Sequence, residues 1–265
     1  MKILRSVSAV AALLALGSLA AAAQSASFTV SQNGHPVGTA SYTFTSTPSG
    51  YNSESLVNVS MQGLNYALSK TERLSPANHL KHVLLSGTVN GSAVNIIAKP
   101  DAAQILMNIS ANGRASTARL AEHPAAVFLP DFDPGALETL LALNVTQNGR
   151  NIWAIIPKRS GSVVPLTITA DAEEQGTLNG QPIPVEHITV KFSGAKMELF
   201  ASHANRLLQA ELPQEGFALV RKGFVLTPPK TAPKAPPQQP AAQQQPAPTQ
   251  QPSAQQQPQQ PTYPQ

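Results

Sequence analysis

Few side chains in this sequence stand at spacings that chemistry could use. His79 and His82 are three apart, which would suit a metal on a helix. Their segment reads as a strand, however, where positions three apart face opposite ways, and a zinc site needs three or four converging ligands. Asp131 and Asp133 could act as paired carboxylates or open a calcium loop, but the liganding positions of such a loop do not follow. Ser193-Gly-Ala-Lys196 has the Ser-x-x-Lys spacing of the serine β-lactamases. That motif works when a helix start sets the lysine one turn from the serine; here Gly194 reads as a hairpin turn, and the Lys-Thr-Gly and Ser-Asp-Asn companions are missing. No Gly-x-Ser-x-Gly, phosphate loop or dinucleotide fingerprint occurs. The sequence therefore assigns no catalytic residue, no cofactor and no metal ligand, and an enzyme would need a site assembled from dispersed residues.

The elements that would position any site centre on residues 127–143. Asp133 can cap a helix by accepting from its free N–H groups, and Pro134 falls at the first helical position, where its fixed φ helps and its missing N–H costs nothing. Leu137, Leu140, Leu141 and Leu143 follow at helical spacing, which predicts a helix near 134–143 with one face to bury.

On both sides of this helix, apolar and polar residues alternate. Phe28 and Val30, Tyr42 and Phe44, Val57 and Val59, and Leu64, Tyr66 and Leu68 each share a face opposite Ser, Thr or Asn, as in antiparallel strands with one wet side. Leu80–Leu85, Val94–Ala98 and Ile105–Ile109 extend the pattern before the helix. Ile152–Ile156, Val163–Ile168, Ile183–Val185, Ile188–Phe192, Met197–Phe200, Leu207–Leu208 and Phe217–Val225 extend it after. Asn-Gly recurs at 33–34, 90–91, 112–113, 148–149 and 179–180. Both residues tolerate the positive φ of a tight hairpin, so the repetition predicts consecutive hairpins. The fold class expected is mainly β: a large curved antiparallel sheet, a half-barrel or open barrel, with one principal helix packed on it.

The ends of the chain read differently. Met1 to Arg5 carry two positive charges ahead of an Ala/Leu/Val run, and Ala21-Ala22-Ala23 offers a small-x-small cleavage site. Residues 1–23 thus read as a secretory signal peptide, which places the protein in the periplasm or outside the cell, with no membrane span left after cleavage. The chain has no cysteine, so residues 24–227 must be held by one hydrophobic core. Residues 228–265 contain half of the chain's 24 prolines and too few apolar side chains to offset ordering, which predicts a disordered Pro/Gln-rich tail. Of the 18 basic residues, Lys2, Arg5, Lys230 and Lys234 lie in these ends, and those remaining equal the 14 acidic ones. No basic stripe exists to neutralise phosphates, which excludes a nucleic-acid partner.

From Pro182 to Phe224, a strand pair with Glu186-His187-Ile188-Thr189-Val190 leads to Met197-Glu198-Leu199-Phe200, then Asn205 to Pro213, then Phe217 to Arg221. This order resembles the C-terminal strands of exported bacterial half-barrel proteins of the lipoprotein-carrier (LolA-like) type and their uncharacterised relatives. The resemblance implies an incomplete barrel around an apolar cavity, with a helix on its concave side, and carries over no functional residue. The function expected is a non-catalytic envelope module for a lipid or other apolar ligand, its cavity lined by Tyr66, Phe132, Leu137, Leu141 and Trp153. The alternative is an interaction protein whose tail docks on an envelope protein or the cell wall.

Overall fold

Asn33 and Gly34 take φ of 49° and 79°, and the Asn-Gly pairs at 90–91, 112–113 and 179–180 repeat those angles. Each closes a hairpin whose turn matches the twist of its strands. In the computed structural model, which describes residues 23–158 and 161–228, such turns string together a long meander. Its strands are β1 (Ala23–Gln32), β2 (His35–Thr47), β3 (Gly50–Met61), β4 (Leu64–Leu74), β5 (Leu80–Val89), β6 (Ser92–Asp101), β7 (Gln104–Ala111) and β8 (Arg114–Ala121). β9 (Ala126–Phe128) and helix α1 (Pro134–Gln147) follow, then β10 (Trp153–Ile156), β11 (Ser162–Pro165), β12 (Thr167–Ala170) and β13 (Glu174–Leu178). β14 (Gln181–Phe192), β15 (Ala195–Ser202), β16 (Leu207–Leu212), β17 (Phe217–Arg221) and β18 (Phe224–Leu226) complete the described chain. The protein is mainly β, as the alternation predicts. The expectations for a leader and a tail fall almost wholly outside the described residues. Among the described residues no helix is long and apolar enough to cross a membrane.

Fifteen strands form one sheet in the order β18-β13-β14-β15-β16-β17-β1-β2 and onward to β8, with β12 also on β14. β1 therefore lies inside the sheet, against β17 on one side and β2 on the other. The sheet is curved, and one atom shows it. Glu138 Oε1 accepts from Tyr42 Oη of β2 and from the Leu207 backbone N of β16, although these strands are separated by β17 and β1 and would stand about 14 Å apart in a flat sheet. Two glycines permit the bend. A Cβ on Gly38 or Gly87 would lie 2.1 or 2.0 Å from a neighbouring strand's carbonyl oxygen, an approach that no other residue allows.

The inner face is covered in two parts. α1 meets β16, β2 and β3, while the second sheet, β11-β10-β9, meets β5 and β8. Phe28, Val83, Met107, Leu140, Leu143 and Ile155 are all at most 1% exposed in this shared core. At the other end the sheet rolls up. β18 follows β17 after only Lys222 and Gly223, yet pairs with β13 on the far side of β14. The roll holds its own core of Val185, Phe200, Leu208 and Phe224.

Several expectations need correction. α1 continues to Gln147, a turn past the predicted end, and it is enclosed on every side over Asp133–Leu141 rather than on one stripe. Asn148 and Gly149 have hairpin-like φ of 49° and 69°, but the N–H of Asn148 returns to the carbonyls of Asn144 and Val145 as a helix C-cap. Val163–Ile168 is two strands in two sheets, because Leu166 N donates to Ile152 O between them. Phe217–Val225 is likewise broken at Lys222-Gly223, whereas Ile183–Val185 and Ile188–Phe192 are one strand, β14. β8, β9 and β13 have too little alternation to be seen in the sequence, and β9 pairs with β10 in parallel.

Candidate functional site

On β4 the positions that face inward are Tyr66, Leu68, Lys70, Glu72 and Leu74, so the pleat carries two charged side chains under the helix. Both are fully buried, with Lys70 Nζ 3.3 Å from Glu72 Oε2 and 3.4 Å from Asp133 Oδ2. Asp133 also accepts from Ser55 Oγ at 2.8 Å and from Ala136 N at 2.9 Å. One carboxylate thereby caps α1 as predicted and ties its first turn to β3 and β4. Thr139 Oγ1 lies 3.5 Å from Glu72 Oε2. Burial raises the Glu72 carboxyl above the ordinary carboxylate range, against the pull of Lys70 and with the push of Asp133. Burial pulls the Lys70 ammonium down, but Asp133 and Glu72 together outweigh it and keep it charged.

A second buried carboxylate holds the middle of α1. Glu138, 5% exposed, accepts from Tyr42 and Leu207 as described, with Arg206 Nη1 3.9 Å from its other oxygen. Burial raises its pKa, opposed by the Tyr42 and Leu207 hydrogen bonds and by the charges of Arg206 and Arg221. In the unfolded chain Glu72 and Glu138 titrate near the usual value of about 4.3, and in the fold both titrate higher. Between the two values unfolding releases their protons. The stability they contribute is therefore fully present below the unfolded value and falls as pH rises through the folded one. A melting temperature higher at about pH 5 than at about pH 7.5 is expected, with the difference reduced in Glu138→Gln. Scanning calorimetry across that range checks it, and a melting temperature that climbs with pH would contradict the assignment.

Beside this anchored helix start lies a cavity of about 260 Å³. Met61 and Leu64 wall it from the β3–β4 turn, Phe132 and Leu137 from the helix start, Ile156 from β10, and Met197, Leu212 and Phe217 from β15 to β17. At its mouth Asp131 Oδ2 and Lys158 Nζ form an exposed ion pair at 2.8 Å. Phe132 has φ of 55°, a left-handed conformation that costs a bulky residue about 1–3 kcal/mol and persists only where the surroundings enforce it. Here Tyr66 meets its ring edge-on at 6.2 Å and Phe217 at 4.8 Å, while Tyr66 Oη donates to the Asp131 carbonyl at 3.2 Å. Burial, reinforced by Asp131 and Asp133, pushes the Tyr66 pKa up, so the hydroxyl stays a donor.

Of the five residues read as cavity lining, Phe132 and Leu137 line this space and Tyr66 stands behind Phe132. Leu141 is sealed in the core at 1% exposure, and Trp153 stacks on His123 at 3.7 Å. The sequence reading does not assign Met61, Leu64, Met197 and Phe217 to a cavity; their common mark is a place at or near a strand end. Lys70 and Glu72 were missed as well, although their even spacing from Tyr66 and Leu68 carries the signal. His79 borders a groove with Glu122 and His123, and His82 one with Ser53 and Arg73, so the two do not converge. Ser193 and Gly194 are turn residues with φ of 47° and 80°, and Lys196 pairs with Glu198. The chain matches no family model, no curated protein and no solved structure.

Proposed function

We propose that this chain is an exported envelope module that binds a lipid or other apolar molecule without transforming it, in the cavity beside the start of α1. The observation that carries the reading is an apolar space with one open, charged rim. An acyl chain or ring would enter between Phe132, Met197 and Phe217, and a polar end group would stay at Lys158 and Asp131. Binding sites for small apolar ligands combine such a lining with a few polar groups that set orientation. The leader-like first residues support export, and the strained Phe132 at the wall supports a functional role for the space.

Titration with 1-anilinonaphthalene-8-sulfonate, together with organic extraction of protein purified from its native envelope, tests the proposal. Saturable binding of one probe per chain, displaced by a long-chain fatty acid, is the expected result. A clean extract combined with weak, non-saturating fluorescence would make the cavity a gap in the core and end the proposal.

A further inference from the structure

On the face of β14 that carries Val185 of the roll's core, opposite the face of Ile188 and Val190, His187 and Thr189 point the same way, across from Phe200 and Glu198 of β15. Asp171, just after β12, is brought to them by its own N–H, which donates to the His187 carbonyl at 2.8 Å. His187 Nδ1 lies 2.9 Å from Glu174 Oε1 and Nε2 lies 3.1 Å from Glu198 Oε2. Thr189 Oγ1 lies 2.6 Å from Asp171 Oδ2 and 2.8 Å from Glu198 Oε2.

These four contacts hold too few protons. A neutral imidazole supplies one and a hydroxyl one, so two of the four join acceptors to acceptors, and even an imidazolium leaves one short. Charge is unbalanced too: among the described residues Asp171, Glu174 and Glu198 face one ammonium, that of Lys196, which pairs with the other oxygen of Glu198. That leaves the negative charges of Asp171 and Glu174 around the ring and Thr189.

We propose that Asp171, His187 and Glu198 form a binding site for a divalent transition-metal cation, Zn²⁺ by preference. Its donor atoms would be His187 Nε2, Glu198 Oε2 and an Asp171 carboxylate oxygen, which lie within 4.8 Å of one another. A cation there resolves the shortage, because Nδ1–H then donates to Glu174 while Nε2 and both carboxylates turn their lone pairs to the metal. Metal-bound histidines ordinarily hold their second nitrogen against a carboxylate in this way. The 3.1 Å between Nε2 and Oε2 is close to the about 3.3–3.6 Å that separates neighbouring ligands of tetrahedral zinc. The ring is already fixed, stacked on Phe200 at 4.5 Å and 16°. An imidazole ligand selects Zn²⁺ over Ca²⁺ or Mg²⁺, which prefer oxygen. Three protein ligands leave a fourth position for water or for a donor from a partner.

Isothermal titration of tag-free, chelator-treated protein with Zn²⁺ tests the site. One Zn²⁺ per chain is expected, with a melting temperature raised by bound metal, and Ca²⁺ and Mg²⁺ giving no comparable binding. His187→Ala and Asp171→Asn should each weaken binding at least about tenfold, and His82→Ala should not. Asp171 is exposed and outside the strands, so its variant keeps the test meaningful if His187→Ala destabilises the roll. Absence of stoichiometric binding, binding that survives both substitutions, or a site that takes Ca²⁺ and refuses Zn²⁺ would each overturn the proposal.

Discussion

Lys70→Met is expected to destabilise the fold by about 3–5 kcal/mol, the cost of leaving buried charge without its partner. Among the described residues Lys70 is the one cation in contact with Glu72 and Asp133, and none of the three side chains is more than 2% exposed. Without it, two carboxylates face each other under the first turn of α1, one must take up a proton, and the helix cap is weakened. Stabilities of ordinary domains are about 5–15 kcal/mol, so the loss should appear as a large drop in the urea midpoint. Lys70→Met with Glu72→Leu should recover most of it, since an apolar pair of similar size replaces a buried ion pair at little cost. Asp133 then keeps its Ser55 and Ala136 hydrogen bonds. If Lys70→Met alone unfolds at the natural midpoint, the cluster does not tie the helix to the sheet.

Filling the cavity is expected to abolish ligand binding while sparing the fold. Ala195 and Ala210 both line it, Ala210 buried and Ala195 closer to solvent. Ala195→Trp and Ala210→Phe would occupy the space an apolar ligand needs, each weakening probe binding at least about tenfold. The melting temperature should stay within a few degrees, because the added atoms enter empty volume. Leu56→Trp on the outer face, where Leu56 is 53% exposed, is the control that should change nothing. Probe titrations of the three variants decide the matter, and unaltered affinity in both filled variants would place binding elsewhere.

What the sequence disclosed were features whose physics is local. Asp133-Pro134 marks a helix start by chemistry contained in two residues, and the structure has the cap as expected. Asn-Gly marks positive φ just as reliably, yet the dihedrals alone do not say what they join. At 33–34 the pair links two strands, and at 148–149 it ends a helix. The period of two was legible along β4 as far as Leu68; Lys70 and Glu72 continue it, but charge at an inward position looks like a solvated face until a helix is seen above it. Trp153 was read as a cavity wall because its strand is apolar, whereas its ring partner, His123, lies thirty residues earlier. The Asp171, His187 and Glu198 group was hidden for the same reason: three strands must be in register before the residues meet.

The interior position of β1 bears on how the chain is made. Phe28 pairs with Arg221, so the first strand waits for nearly the last before both its edges are satisfied. A polypeptide that emerges from its N-terminus must keep that strand half-paired until β17 arrives, and closing so long a loop is slow. For that interval the β1 edge presents free N–H and C=O groups to any neighbouring chain. Closure of this sheet is therefore bound to the arrival of β17, and a chain cut short before Phe217 would carry an open, adhesive edge on β1.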